Sequence, residues 1–274
     1  MRFAIVAKPG LARARAAARA IRDFLAEQKG VDVCVEKALA RPLKAEGVPL
    51  AKMDVDVIVT VGGDGTVLKA LQEAKGRIFA VNAGVLGFLT EVSIEEAIPG
   101  LKRVLRHNYI VEKRLRVKTV LGGKRLFDST NEAVVHTSET SKMRHYRVML
   151  SGMVVDDVRA DGIIMATPTG STCYAMSSGG PILDPAVGAF VIVPLAPFKM
   201  ASRPIVVPSD RSISVTLMDD KPSKLVLDGQ FETQIPARST VEFSASETPA
   251  EFIRFSSDFY RTLRLKLVED PITK

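Results

Sequence analysis

Apolar residues run in short blocks through the first third of the chain, and the blocks alternate between two periods. Arg2 to Ala7 is continuous and strand-like, while Leu11 to Gln28 spaces its apolar positions three and four apart. Val31 to Glu36 and Val55 to Val61 again predict strands, Thr66 to Ala74 a helix, and Ile78 to Val81 a further strand. Such alternation predicts a parallel sheet carrying helices. After a helical segment over Ile94 to His107 the texture changes. Leu115 to Leu121, Lys124 to Asn131, Arg147 to Val155, Gly162 to Ala166, Phe190 to Val193, Ser212 to Leu217, Lys224 to Leu227 and Thr240 to Ser244 predict short strands, hence a second, all-β domain. Phe255 to Leu267 regains helical spacing, although its terminal half alternates and also fits a strand. No internal repeat is present.

Composition adds bounds to this picture. The chain has 274 residues, 46% hydrophobic and 25% charged, enough for a substantial core in one large or two closely packed domains. The opening MRFAIVAKPG has too short an apolar run for a secretory leader. The longest apolar stretch, Ala186 to Phe198, is broken by two prolines and falls short of the ~18 residues of a membrane helix, so no membrane partner is expected. Cys34 and Cys173 lie far apart with no zinc-ligand spacing, which fits a reducing, cytoplasmic setting. A net charge of +7 favours polyanionic ligands. The basic clusters at Arg13, Arg15, Arg19, Arg22 and at Lys142, Arg144, His145, Arg147 are read as solvated faces; no nucleic-acid module accompanies them, and no nucleic-acid partner is expected.

Three elements carry candidate chemistry. Gly62-Gly63-Asp64-Gly65-Thr66 follows the apolar strand DVIVTV, where ligands of an open parallel sheet sit. Its glycines let backbone N–H groups approach a phosphate closely. A carboxylate in such a loop would repel phosphate unless a metal ion bridges them or the carboxylate takes a proton from an attacking hydroxyl; alternatively Asp64 or Thr66 simply caps the next helix. The loop is neither a Walker A motif nor a G-x-G-x-x-G fingerprint. A second Gly-rich element, NAGVLGFL over 82–89, follows the strand ending at Val81 and reads as a tight turn. The third runs from Asp161-Gly162 into TPTGSTCYAMSSGGPI (167–182), dense in hydroxyls and glycines, as a polar ligand requires. Asn131-Glu132 adds an amide and a carboxylate able to hold ribose hydroxyls. Loops on two domains would suit a large ligand such as a dinucleotide.

Together GGDGT at 62–66, NE at 131–132, DGIIMATPTGSTCYAMSSGGPI at 161–182, SRPIVVP at 202–208 and DGQ at 228–230 resemble, in order, the motifs of NAD kinases. GGDGT alone is shared with diacylglycerol and sphingosine kinases; the 167–182 stretch selects NAD kinases over these lipid kinases, and the presence of Asp64, Asn131 and Glu132 together weighs against a sensor that binds NAD without turnover. The resemblance implies an α/β N-terminal Rossmann-like domain plus an all-β, sandwich-like C-terminal domain. The expected divisions are 1–110, 111–252 and a segment 253–274 returning to the first domain. It implies phosphoryl transfer from ATP or polyphosphate to the adenosine ribose 2′-hydroxyl of NAD, with Mg²⁺ or another divalent cation, in a homodimer or homotetramer. By the same resemblance Asp64 is the catalytic base or an orienting group, and Gly62, Gly63, Gly65 and Thr66 shape the phosphate loop. Asn131 and Glu132 hold adenosine. Ser171, Thr172 and Tyr174 contact adenine and the dinucleotide's phosphate and ribose, Asp161 and Ala196 lie at the nicotinamide end, and Asp228 is a further family carboxylate. The chain departs from the pattern at Phe198, where many members have His, and at Cys173, where Ala is usual.

Overall fold

The structure is a computed structural model that describes residues 1–84, 87–199, 201–256 and 259–267. The chain divides into two compact units, Met1–Lys113 with the segment from Glu251 onward, and Arg114–Ala250.

The first unit comprises β1 (Arg2–Ala7), α1 (Ala12–Ala26), β2 (Asp32–Glu36), α2 (Lys37–Leu43), β3 (Gly47–Val48), β4 (Asp54–Gly62), α3 (Asp64–Glu73), β5 (Lys75–Asn82), β6 (Val92–Ser93), α4 (Ala97–Leu105) and β7 (Ile110–Arg114). Its sheet runs β3-β2-β1-β4-β5-β20-β7, with β6 also on β5; β20 (Ala250–Arg254) enters from the far end of the chain. The pairs β2–β1, β1–β4, β4–β5 and β5–β20 are parallel, as the strand–helix alternation requires. Apolar side chains of α1 (Ala14, Ala18, Ile21, Leu25) and α4 (Leu101, Val104) pack with Phe3, Ile5, Val59 and Phe79 into one buried cluster. The opposite face of α1 is basic. There Arg19 and Arg22 donate to the Pro42 and Leu43 carbonyls at the end of α2, satisfying acceptors that a helix end leaves open.

The second unit comprises β8 (Val117–Leu121), β9 (Lys124–Arg125), β10 (Glu132–Thr137), β11 (Arg144–Leu150), β12 (Met153–Ala160), β13 (Gly162–Ala166), α5 (Tyr174–Ser177), β14 (Ala189–Leu195), β15 (Ile205–Pro208), β16 (Ile213–Leu217), β17 (Ser223–Leu227), β18 (Phe231–Ile235) and β19 (Thr240–Ala245). Two six-stranded sheets, β15-β14-β13-β10-β17-β18 and β12-β11-β16-β19-β8-β9, face each other as a sandwich. Val135, Ile163, Phe190 and Leu225 of one share a core with Tyr146, Val215, Val241 and Phe243 of the other. The first sheet is also covered on its outer face by Ala175 of α5 and by Leu183, which pack with Val134, Ile164, Val191 and Val193. Burial on both faces is why β13 and β14 read as unbroken apolar runs. Pro194 is tolerated in β14 because β15 stops opposite Ile192, leaving no second neighbour at the proline.

Two sequence expectations need correction. The strand expected over Arg147 to Val155 is a hairpin of β11 and β12, turned at Ser151 and Gly152, both with positive φ (48° and 86°), as a two-residue turn demands. The strand expected over Lys124 to Asn131 ends at Arg125; beyond it Ser129 makes an isolated bridge to Val117. The ambiguous C-terminal stretch resolves into α6 (Phe259–Leu267) after β20, while Ser257, Asp258 and 268–274 lie outside the described residues. Among the described residues no helix is long and apolar enough to cross a membrane.

Candidate active site

In the first unit, β4 ends at Gly62 and α3 starts at Asp64, with Gly63 as the extended N-cap residue. The first N–H groups of a helix lack intrahelical acceptors and so face whatever binds there. Gly62 is needed for space: a Cβ there would lie 2.3 Å from the Thr66 hydroxyl, which folds back over it, whereas Gly63 faces open space. Gly65 is exposed. Asp64 is held from outside its own loop. Its Oδ2 accepts from the N–H of Phe88 (2.9 Å) and its Oδ1 from the N–H of Leu89 (3.0 Å). Thus the second Gly-rich element, read from sequence as a tight turn, is the clamp on the carboxylate; Val85 and Leu86 within it lie outside the described residues.

Gly87 is what admits that carboxylate. A Cβ at Gly87 would fall 2.1 Å from Asp64 Oδ1, and the two N–H bonds leave the side chain little freedom to retreat. Gly87→Ala is expected to push Asp64 out of register and to lower kcat by about ten- to a hundredfold, the scale that a displacement of about 1 Å carries within a reacting site. Steady-state rates beside an unchanged circular-dichroism spectrum check this; a variant with wild-type kcat would sink it.

A further residue braces this loop and carries no sequence motif. Arg254, at the end of β20, is buried and donates to the carbonyls of Leu89 (3.2 Å) and Thr90 (3.3 Å) while pairing with Glu91 (3.1 Å) and Glu112 (2.8 Å). Only the shared sheet brings these groups together, so spacing along the chain offers no signal for them.

In the second unit, a different group of expected residues converges. Asp228 ends β17 in a left-handed turn (φ 51°), and its carboxylate accepts from three successive N–H groups: Thr130 (2.7 Å), Asn131 (2.7 Å) and Glu132 (3.1 Å). Burial pushes its pKa up to about 6, against the lowering pull of those bonds and of Arg116. Glu132, buried beside it, is pushed up to about 8 by burial first and by the Asp228 charge second. Asn131 Oδ1 and Glu132 Oε2 are buried with no hydrogen-bond partner among the described residues, an arrangement that costs stability.

The hydroxyl-rich loop packs directly on this pair. Thr167 donates its N–H to the Asn131 carbonyl (2.9 Å) and its hydroxyl to the Thr130 carbonyl (2.6 Å). Gly170 passes so close that a Cβ would lie 2.1 Å from the Asn131 carbonyl oxygen. Ser171 is fully buried, and its hydroxyl is engaged internally, donating to the Pro168 carbonyl (2.6 Å) and accepting from Leu183 N–H (2.9 Å). Thr172 is buried and donates to the Thr169 carbonyl, Cys173 accepts from the Asn131 side-chain amide (3.4 Å), and Tyr174, an exposed residue, opens α5. Asp161 and Ala196 meet at adjoining strand ends, where Asp161 N–H donates to the Leu195 carbonyl (2.9 Å) and Ala196 turns left-handed (φ 44°). Phe198, the family-variant position, is exposed; Met200 lies outside the described residues.

Comparison with known proteins agrees along the whole chain. Residues 3–109 match the ATP-NAD kinase N-terminal domain and residues 130–255 the ATP-NAD kinase C-terminal domain. The chain is 42% identical to the NAD kinase of Methanothermobacter thermautotrophicus, covering 99% of this chain and 98% of that one. It is 38% identical to the NAD kinase of Thermococcus sibiricus, covering 97% and 99%. Among solved structures, an Archaeoglobus fulgidus NAD kinase in complex with ATP superposes with a TM-score of 0.77 at 31% identity over 96% of this chain and 97% of that one. Yeast NADH kinase complexed with NADH shares the fold, with a TM-score of 0.89 at 22% identity over 99% and 88%. The chain therefore belongs to the NAD kinase family, phosphotransferases that convert NAD to NADP.

Proposed function

We propose that Asp64 is the base of this reaction, taking the proton of the adenosine 2′-hydroxyl of NAD, and that Asn131, Glu132 and the 167–174 loop are NAD-binding residues. The observation that carries the reading is the fixed carboxylate at the start of α3, held on both oxygens by N–H groups and placed where a parallel sheet binds phosphate. The 2′-oxygen attacks the terminal phosphorus of the donor, the bond to the bridging oxygen breaks, and the hydroxyl proton passes to Asp64. Positioning and electrostatics supply most of the acceleration in such transfers. The loop N–H groups would face the transferred phosphoryl oxygens, and at Gly63, which borders open space, no side chain intrudes.

Asp228 takes a supporting part, as the pin that sets the Thr130–Glu132 backbone. Asp161, Ala196 and Tyr174 supply the remaining contacts to the dinucleotide. The internally bonded Ser171 and Thr172 hydroxyls shape the loop around it.

Among the described residues no three His, Cys, Asp or Glu side chains gather as a metal cage. Asp64, whose oxygens retain lone pairs, fits a hard cation such as Mg²⁺ carried mainly on the donor's phosphates and water. Bound there, the cation would neutralise phosphate charge. ATP, which the Archaeoglobus relative binds, is the expected donor, with polyphosphate presenting the same anionic groups. Two cysteines outside any disulfide fit a cytoplasmic enzyme, and the family resemblance favours a homodimer or homotetramer.

The test is NADP formation by the purified protein with NAD and either ATP or polyphosphate, with and without Mg²⁺. Turnover is expected with ATP, falling at least a hundredfold in excess chelator and returning with added Mg²⁺. NAD binding without NADP from any donor would refute the assignment of these residues to catalysis.

A further inference from the structure

The Asp64 carboxylate has a support that neither glycine-rich motif contains. Leu89 donates its N–H to Asp64 Oδ1 at 3.0 Å, and its carbonyl accepts from the Arg254 guanidinium at 3.2 Å. The next carbonyl, Thr90, takes the same guanidinium nitrogen at 3.3 Å. Arg254 is itself over-determined. Its Nε donates to Glu112 in β7 and its Nη1 to Glu91 just past the loop, while Glu91 also accepts the N–H of Phe255 at 2.6 Å. The Phe252 ring lies 5.1 Å beneath the guanidinium. Both carboxylates and the arginine are largely out of water.

We propose that Arg254 is a positioning residue for catalysis: delivered by the C-terminal strand β20, it clamps the 89–90 backbone so that the Phe88 and Leu89 N–H groups hold Asp64 in line with the acceptor hydroxyl. A planar guanidinium with several fixed donors can serve two carbonyls and two carboxylates at once; an ammonium cannot. The proposal rests on the reading of Asp64 as the base. It goes beyond a buried ion cluster that merely closes the sheet, because Leu89, whose carbonyl is clamped, is also the residue whose N–H bonds the reacting carboxylate.

The experiment is a double-mutant cycle of Arg254→Lys and Asp64→Asn on the full chain, with kcat referred to NAD-binding sites and KM measured for NAD and ATP, well below the unfolding temperature of every variant. Arg254→Lys is expected to lower kcat about tenfold with both KM values within about threefold of wild type. Adding it to Asp64→Asn is expected to cause no further loss, since two residues acting through one group do not add. A folded Arg254→Lys protein with wild-type kcat, beside an inactive Asp64→Asn, would overturn the proposal alone and leave a structural role. Asp64→Asn with unimpaired kcat would overturn the base reading and the proposal with it. If Arg254→Lys does not fold, Glu112→Gln loosens the same guanidinium without removing it; a threefold or larger fall in kcat then supports the clamp, and an unchanged kcat rejects it.

Discussion

Asp64→Asn is expected to lower kcat for NADP formation by about 10²- to 10⁴-fold, the range associated with a positioned acid or base, while NAD still binds. The variant keeps the shape of the side chain but exchanges one acceptor oxygen for an amide donor. Because both oxygens face N–H groups, of Phe88 and Leu89, one of those bonds must be lost whichever way the amide turns. Two effects therefore act in the same direction: the proton acceptor disappears, and the 87–89 loop loses part of its hold. Rates at saturating NAD and ATP, beside calorimetric binding of NAD alone, separate them from a failure to bind. A variant keeping more than about a tenth of the wild-type kcat would show that Asp64 orients rather than accepts the proton. On the free-energy scale the expected loss is about 3–5 kcal/mol of transition-state stabilisation. That is more than a single ordinary hydrogen bond supplies.

The sequence made much of this architecture legible, but unevenly. Strands β1, β4 and β13 stand out because both faces are buried, so their apolar runs are continuous. α1 stands out because five buried positions recur at helical spacing against a basic outer face. By contrast α2 carries Pro42 inside a short helix, and the turn between β11 and β12 rests on Ser151-Gly152, a weak signal between two apolar runs. β20 was hidden for another reason. Its neighbours β5 and β7 are contributed by distant parts of the chain, and non-local pairing leaves no mark on local pattern. The candidate site follows the same logic. Asp64, Asn131, Glu132 and Asp228 were visible as residue types, whereas the groups that hold them are backbone N–H donors, which have no identity in a sequence. The one clue to the clamp was spatial permission: Gly87 is required because Asp64 occupies the place of its Cβ. Arg254 offered no clue, since it works from the end of a strand that local pattern did not reveal.

Glu132→Gln is expected to make the protein more stable at alkaline pH and worse at binding NAD. In the folded chain burial and the neighbouring Asp228 charge push the Glu132 pKa up to about 8, well above the ordinary carboxylate value it regains on unfolding. The folded state thus binds the Glu132 proton more tightly. Its contribution to stability is fully present below about pH 4.5 and is lost as pH rises to and through about 8. Over that interval the wild type loses up to about 1.4 kcal/mol per pH unit from this group, which glutamine, having no proton to lose, does not. The variant should accordingly match the wild type near pH 5 and exceed it at pH 9 by a margin on the order of 3 kcal/mol, read from denaturant midpoints at constant m-value. Asp228, raised to about 6, titrates in both proteins and so does not generate the difference. A stability gap that stays flat from pH 5 to pH 9 would mean that Glu132 ionises freely and that its burial is relieved on the folded chain. The opposite sign expected for NAD affinity explains why a carboxylate stands at so unfavourable a position. An ionisable group that costs the fold stability persists where the ligand uses it, and here it is pinned by a second carboxylate through the backbone N–H of Glu132 itself.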